Sequence, residues 1–496
     1  MAKQKMLQFV DVERTMPDKR PPDLRARDFA EIYGEFAREK AAEQAGRCSQ
    51  CGVPYCQSHC PLHNNIPDWL NLTASGRLQE AYEISQQTNT FPEICGRICP
   101  QDRLCEGNCV IEQSGHGTVT IGAIEKYIND TAWEEGWVKP IKPSQERRES
   151  VAVIGAGPGG LAAADMLRRQ GVQVAVYDRY DRAGGLMTYG IPGFKLEKDV
   201  VMKRIAQLEE GGVTFQLNCN VGEDISFEDI RARHDAVVIA TGVYKSRELT
   251  GPGAGSDGIV RAIDYLTASN RAANFGDDVP EFTSGALNAQ GKRVVVIGGG
   301  DTAMDCVRTA IRQGATSVKC LYRRDRANMP GSQREVANAE EEGVDFVWLS
   351  APHGFTAGGS HTGAVKGVAI EGTGEEAVAG VMVRKMRLGA PDATGRQAPE
   401  VIEGADYVED ADLVIKALGF EPEEIPALWG VDALEVTRWG TIKTDFKTHQ
   451  TSLPGVYAVG DIVRGASLVV WAIRDGREAA QAILAQLNAG TAVAAE

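Results

Sequence analysis

The 496-residue chain has no apolar run of the ~18 residues that a membrane-spanning helix needs. Its longest candidate, Val151 to Ala164, is interrupted by four glycines and a proline. The stretch Met1 to Asp18 carries charges of both signs and lacks the apolar segment of a signal peptide. Basic residues are not in excess: the formal net charge is −15, which argues against a surface for nucleic acid or anionic lipid. These absences read as a cytoplasmic protein that binds neither membrane nor nucleic acid. A chain this long buries a large core without covalent staples, and thiols in that compartment stay reduced.

What is present is an uneven distribution of cysteine. Eight of the 11 cysteines fall within the 62 residues from Cys48 to Cys109. The first set is Cys48-x2-Cys51-x4-Cys56-x3-Cys60, followed by Pro61; the second is Cys95-x3-Cys99-x5-Cys105-x3-Cys109, with Pro100 after Cys99. Thiols so crowded in a reducing compartment point to metal. A Cys-x3-Cys-Pro ending is a feature of two-cluster ferredoxins, where the last cysteine of one run ligates the other cluster. Eight thiolates suffice for two clusters, read here as 4Fe–4S. Structural zinc would show paired Cys-x2-Cys knuckles, and only one such knuckle occurs. The remaining Cys219, Cys306 and Cys320 read as isolated core thiols.

Strand signals are few before residue 146, so residues 1–146 read as a mostly helical iron–sulfur domain, with helices expected over Asp28–Ala45, Ile66–Leu72 and Leu78–Gln87. A polar linker, Lys142 to Glu149, ends it. The rest carries an internal duplication. Val151–Ile154 leads into Gly155-Ala156-Gly157-Pro158-Gly159-Gly160 and a helix, and Val294–Ile297 leads into Gly298-Gly299-Gly300-Asp301-Thr302-Ala303 and another. Each unit has a second strand (Val172–Tyr177, Ser317–Tyr322) and a later apolar strand ending in glycine (Asp235–Gly242, Asp412–Gly419). Fully apolar strands alternating with helices predict parallel sheets buried on both faces. The expected class is α/β, with two doubly wound Rossmann-like domains behind the helical one. The expected boundaries are 147–280 and 431–496 for the two parts of an FAD domain and 281–430 for an inserted NADPH domain.

Each Gly-rich turn follows a strand and opens a helix, which is the context dinucleotide binding requires. Gly155 makes the tight turn, Gly157 lets a pyrophosphate approach the backbone, and Gly160 lets helix and strand pack closely. Gly298, Gly300 and Ala303 repeat those roles, with Asp301 and Thr302 opening the second helix. The phosphates then meet free N–H groups at a helix N-terminus. The copies differ at the end of their second strands. Asp178 follows the first and suits ribose hydroxyls, as in FAD. Arg323 and Arg324 follow the second and suit a 2′-phosphate, so the second site reads as preferring NADPH over NADH.

The Gly455-Val456-Tyr457-Ala458-Val459-Gly460-Asp461 stretch resembles the second flavin fingerprint of the two-dinucleotide-binding flavoproteins, in which the aspartate at the position of Asp461 holds the ribitol of FAD. Ala240-Thr241-Gly242 is similar to another motif of that superfamily. Disulfide reductases of that group carry a cysteine pair beside the flavin, and none follows residue 110 here. Electrons must therefore leave another way. NADPH delivers two at once and an iron–sulfur cluster takes one, so a flavin belongs between them. No catalytic acid or base is needed for hydride transfer, and none is assigned. Ser467–Ala472 is expected to line the flavin, with Trp471 either in the core or at the site.

Taken as a whole, the chain closely resembles the small (β) subunits of bacterial NADPH-dependent glutamate synthases. The most specific stretches are the eight-cysteine region, Gly184-Gly185-Leu186-Met187-Thr188-Tyr189-Gly190-Ile191-Pro192-Gly193-Phe194-Lys195-Leu196, and Gly298 to Asp305. The resemblance implies FAD contacts from Gly185 and Leu186. It also implies a large (α) partner subunit, where an FMN site reduces the imine formed from 2-oxoglutarate and glutamine-derived ammonia to L-glutamate. This chain begins Met1-Ala2-Lys3, without the N-terminal cysteine of a glutaminase, and has no spare stretch for a barrel of ~250 residues. The layout is also similar to the N-terminal half of dihydropyrimidine dehydrogenase. That likeness implies crossed wiring: Cys48, Cys51, Cys56 and Cys109 on one cluster, and Cys60, Cys99 and Cys105 on the other. Its fourth ligand is then Glu125, where that relative has Gln; the plainer reading keeps Cys95. The alternatives are a reductase subunit for another partner, of pyrimidine dehydrogenase or ferredoxin type, and a structural adaptor with vestigial sites.

Overall fold

The computed structural model describes residues 7–358, 376–393, 395 and 397–493. Two five-stranded parallel sheets dominate it. The first runs, in spatial order, Val456–Ala458, Ala236–Ile239, Ser150–Ile154, Gln173–Tyr177, Val213–Gln216. The second runs Ile259–Arg261, Leu413–Lys416, Arg293–Ile297, Ser317–Tyr322, Asp345–Trp348. The order is the same in both, so the duplication read from the apolar runs is a duplication of topology. Val151, Val153, Val294 and Val296 are buried, as strands covered by helices on both faces require. No helix among the described residues is long and apolar enough to cross a membrane.

The second sheet takes its edge strand from Ile259–Arg261, upstream of residue 281, and the helix Ala262–Phe275 packs on the same core through Tyr265 and Leu266. Ile425, upstream of residue 431, already lies in the core beneath the first sheet, with Phe227 and Ile462. A short antiparallel pair, Lys245–Ser246 with Phe420–Glu421, ties the outgoing and returning chains together. Strands Ser350–Ala357, Val378–Pro391, Gln397–Val401 and Tyr407–Asp410 form a separate antiparallel sheet, which the sequence reading did not separate from the nucleotide unit.

The N-terminal region is helical: Arg38–Ala45, Ile66–Ala74, Leu78–Thr88, Pro92–Ile98 and Ile121–Glu134 surround a core of Trp69, Ile124 and Ile128. The helix expected over Asp28–Ala45 begins only at Arg38. Upstream, Arg20 N donates to Ile32 O and Gly34 N to Asp18 O, so Ile32 and Phe36 are buried by an extended pairing instead. This region is not a loose appendage. Phe91, Ile94, Cys95 and Cys99 share one core with the first sheet and with Val470. Beside them Glu93 accepts two hydrogen bonds from Arg204, at 2.8 and 2.9 Å, with both side chains buried.

Removing one partner of such a pair strands the other charge in a dry interface. Glu93→Ala is expected to destabilise the protein by about 3–5 kcal/mol, read as a lowered denaturation midpoint; an unchanged midpoint would contradict the role given to this pair.

Candidate functional site

The C-terminal ends of the first sheet's strands open into a cavity of about 390 Å³, within the range of cofactor sites. Gly155, Gly157, Asp178, Gly185, Leu186, Thr241, Gly242, Gly460 and Asp461 all line it. Gly160 does not. A Cβ there would sit 2.1 Å from Gly155 O and 2.9 Å from Val153 Cγ1, so Gly160 serves the close approach of helix and strand. Gly155 has φ +110°, and a Cβ on it would meet Ala240 O at 2.3 Å. At Gly157 the space is open, and this residue caps the Pro158–Arg169 helix with no side chain occupying its N–H groups.

Asp178 is buried, which pushes its carboxyl above the usual range; Ala156 N (2.6 Å) and Tyr180 N (2.9 Å) donate to it. Thr241 Oγ1 is buried with no partner, an orphan polar atom in the wall of the cavity. Asp461 accepts from Ser467 Oγ at 2.6 Å and is likewise raised by burial. Burial also lowers the Lys198 ammonium to about 7. It donates to Met187 O (3.0 Å) and to Ile191 O, which fixes the Gly184–Leu196 segment against the cavity. The donor set, the orphan hydroxyl and the open turn at Gly157 fit a flavin dinucleotide. Sequence reading missed Arg179, Tyr180, Tyr244 and Glu423. The Arg179 guanidinium lies 4.8 Å from the Tyr244 ring centre and bonds Glu423 at 2.9 Å. Cys219, expected in the core, instead lines this cavity, whereas Cys306 and Cys320 are fully buried. Trp471 does not line it: the guanidiniums of Arg464 and Arg474 lie 4.6 and 5.4 Å from the centre of its ring.

The second turn repeats the first. A Cβ on Gly298 (φ +155°) would meet Ala417 O at 2.2 Å, the space at Gly300 is open, and Ala303 is buried. Asp301 accepts from Ser332 N at 2.9 Å and lies 3.5 Å from Arg103 of the helical region. Arg323 is exposed and Arg324 half-buried, at the strand end that corresponds to Asp178 in the first unit. A second cavity, of about 200 Å³, joins the two sites: Asp301 and Thr302 line it together with Cys99, Leu468 and Val469.

All eight N-terminal cysteines are free thiols, in two groups. Cys48, Cys51, Cys56 and Cys109 line one small pocket. Cys60 lies within reach of the charges of Cys99 and Cys105, Glu125 lies within reach of all three, and Cys95 is hydrogen-bonded to Cys99. Glu125 Oε1 accepts from Asn64 (2.9 Å) and Asn89 (3.1 Å), and burial raises its carboxyl to about 8. Burial also raises the thiols of Cys48 to about 11 and of Cys56 and Cys60 to about 12. Thiolates so desolvated need cationic metal, and these groups fit iron–sulfur clusters.

The fold and these sites define a flavin-dependent pyridine-nucleotide oxidoreductase with an iron–sulfur region. Residues 25–137 match the family described as dihydropyrimidine dehydrogenase domain II, 4Fe-4S cluster. Residues 149–476 match the pyridine nucleotide-disulphide oxidoreductases. The chain is 63% identical to the glutamate synthase [NADPH] small chain of Azospirillum brasilense over 100% of both chains. It is 45% identical to the Escherichia coli K12 protein of that description, over 97% of this chain and 98% of the other. Its fold is similar to that of Mycobacterium tuberculosis FprA in complex with NADPH (TM-score 0.56, 19% identity, 70% of this chain and 86% of that one). The chain belongs to the glutamate synthase [NADPH] small-chain family. It is an NADPH-dependent oxidoreductase that uses FAD and 4Fe–4S iron.

Because the Gly298 Cβ direction is closed by a carbonyl while the flavin cavity lies elsewhere, Gly298→Ala should purify yellow yet resist bleaching by NADPH under anaerobic conditions, with dithionite still bleaching it. Normal bleaching by NADPH would refute the assignment of this turn.

Proposed function

We propose that the chain is the electron-input subunit of a glutamate synthase. It oxidises NADPH on FAD and sends the electrons through two 4Fe–4S clusters to a large, glutamine-using subunit that forms L-glutamate from 2-oxoglutarate. One observation carries this reading: a single cavity is lined by Asp301 and Thr302 at the start of the helix after the second turn, by the flavin-cavity wall and by the cluster cysteine Cys99. The full-length 63% identity supports the glutamate synthase partner over other acceptors. Bound flavin supplies two-electron uptake and one-electron release. The chain's residues do the rest. The N–H groups at Gly157 and Gly300 receive pyrophosphates, and Asp178 and Asp461 receive ribose and ribitol hydroxyls. Arg323 and Arg324 receive the 2′-phosphate. Cys48, Cys51, Cys56 and Cys109 hold one cluster; Cys60, Cys99 and Cys105 hold the other, with Cys95 or Glu125 as fourth ligand. The apolar Leu468–Val469 wall keeps water from the place where hydride must travel only ~3–3.5 Å.

Two experiments check this. Arg323→Ala with Arg324→Ala should weaken NADPH at least about tenfold, the scale of a lost charge-assisted contact, and leave NADH nearly unchanged; equal losses would contradict the 2′-phosphate role. Affinity capture from native cells should recover a large subunit and give NADPH oxidation that needs both glutamine and 2-oxoglutarate. Capture of a pyrimidine dehydrogenase or ferredoxin instead would favour the other partner class.

A further inference from the structure

The cavity where the three regions meet carries a charged group that neither dinucleotide turn requires. Lys195 Nζ donates to Asp305 Oδ1 at 2.8 Å, and Glu335 Oε2 stands 4.0 Å from the same nitrogen. The three side chains are 14%, 9% and 8% exposed, and all line the cavity. Ionic groups this deep are costly unless partnered. Glu335 has its partner in Arg308, at 2.5 Å. The Lys195–Asp305 pair is left incomplete. An ammonium has three N–H donors, and only the one to Asp305 is used within hydrogen-bond reach; Asp305 Oδ2 accepts from none of the described residues. An open donor and an open acceptor therefore stand side by side in the cavity wall.

Their position limits what they can serve. Asp305 lies one helical turn beyond Asp301, on the helix whose N-terminus faces the NADPH pyrophosphate, about 6 Å farther along the axis. Ile191 and Ser467–Val469 line both this cavity and the flavin cavity, so a dinucleotide running from the Gly298 turn to the flavin passes this pair at its redox end. A primary carboxamide presents one acceptor and one donor. The geometry points to Lys195 and Asp305 as the residues that read the nicotinamide carboxamide: Lys195 Nζ donates to its carbonyl oxygen and Asp305 accepts from its amide N–H. The inference rests on the placement of NADPH at the Gly298 turn and adds the orientation of the ring that delivers hydride.

The test compares NADP⁺ with its 3-acetylpyridine analogue, which keeps the carbonyl and lacks the amide N–H. Binding to the flavin-loaded protein is read from perturbation of the flavin spectrum and by calorimetry, without turnover. Wild type should prefer NADP⁺ by about ten- to a hundredfold, the scale of one hydrogen bond to a charged group. Asp305→Ala should reduce that preference to within about twofold. Lys195→Met should weaken both ligands by a similar factor and keep their ratio. Neither change should alter affinity for 2′,5′-ADP, which has no nicotinamide. An unchanged NADP⁺ preference in Asp305→Ala, or a wild type that does not discriminate, would overturn the inference. So would loss of 2′,5′-ADP binding along with the preference, which marks the pair as a clamp between segments. If Asp305→Ala does not fold, Lys195→Met decides: a matched loss for both ligands supports the reading, and no loss overturns it. Wild type that binds neither NADP⁺ nor 2′,5′-ADP would instead refute the NADPH site itself.

Discussion

The packing of the Pro92–Ile98 helix into the core of the flavin unit is the constraint on which the arrangement depends. Electrons that arrive in a pair and leave singly need a flavin with the hydride donor on one side and iron on the other, all in close approach. Phe91, Ile94, Cys95 and Cys99 join the same apolar core as Val151 and Val470, and the buried Glu93–Arg204 pair closes the edge of that contact. Cys99 thus lines the same cavity as Leu468 and Val469. An iron–sulfur region hung on a flexible linker would not keep that shared cavity. Here the linker residues are anchored too: Arg147 bonds Glu149 and Asn488, and Glu146 pairs with Arg168.

The two nucleotide units show how little local chemistry is needed to specify a dinucleotide site. In each, a glycine at positive φ presses against the carbonyl of the neighbouring strand's end, Gly155 against Ala240 and Gly298 against Ala417. Any side chain there would push the strands apart, so the turn exists only with glycine. The residue two positions on faces open space, which leaves room for a phosphate at the backbone. In the proposed function, selectivity is set one strand away, by a carboxylate in one unit and two guanidiniums in the other.

These features were legible because they are local. The apolar strands, the Gly-rich turns and the cavity-lining Asp178 lie within short stretches whose periodicity and spacing carry their meaning. What was not legible comes from chain separation. Tyr244 and Glu423 meet Arg179 across the insertion of an entire sheet, and Lys195 meets Asp305 from a different unit. The segment from Asp28 to Ala37 has a helical composition, yet its backbone pairs with Asp18–Arg20, a case of tertiary contact overriding propensity. The Val378–Pro391 sheet escaped because its half-exposed strands mix buried and exposed positions and lack the continuous apolar runs of the parallel sheets. Between Cys95 and Glu125, spacing offered no choice, since both lie beside Cys60 and Cys99.

The most direct measurement of the central claim is freeze-quench electron paramagnetic resonance of the anaerobic, reconstituted holoprotein mixed with regenerated NADPH, with flavin absorbance followed in parallel. The account predicts that a reduced iron–sulfur signal grows as the flavin bleaches and reoxidises. A flavin that bleaches fully while the iron stays diamagnetic at every time would contradict the passage of electrons from flavin to iron.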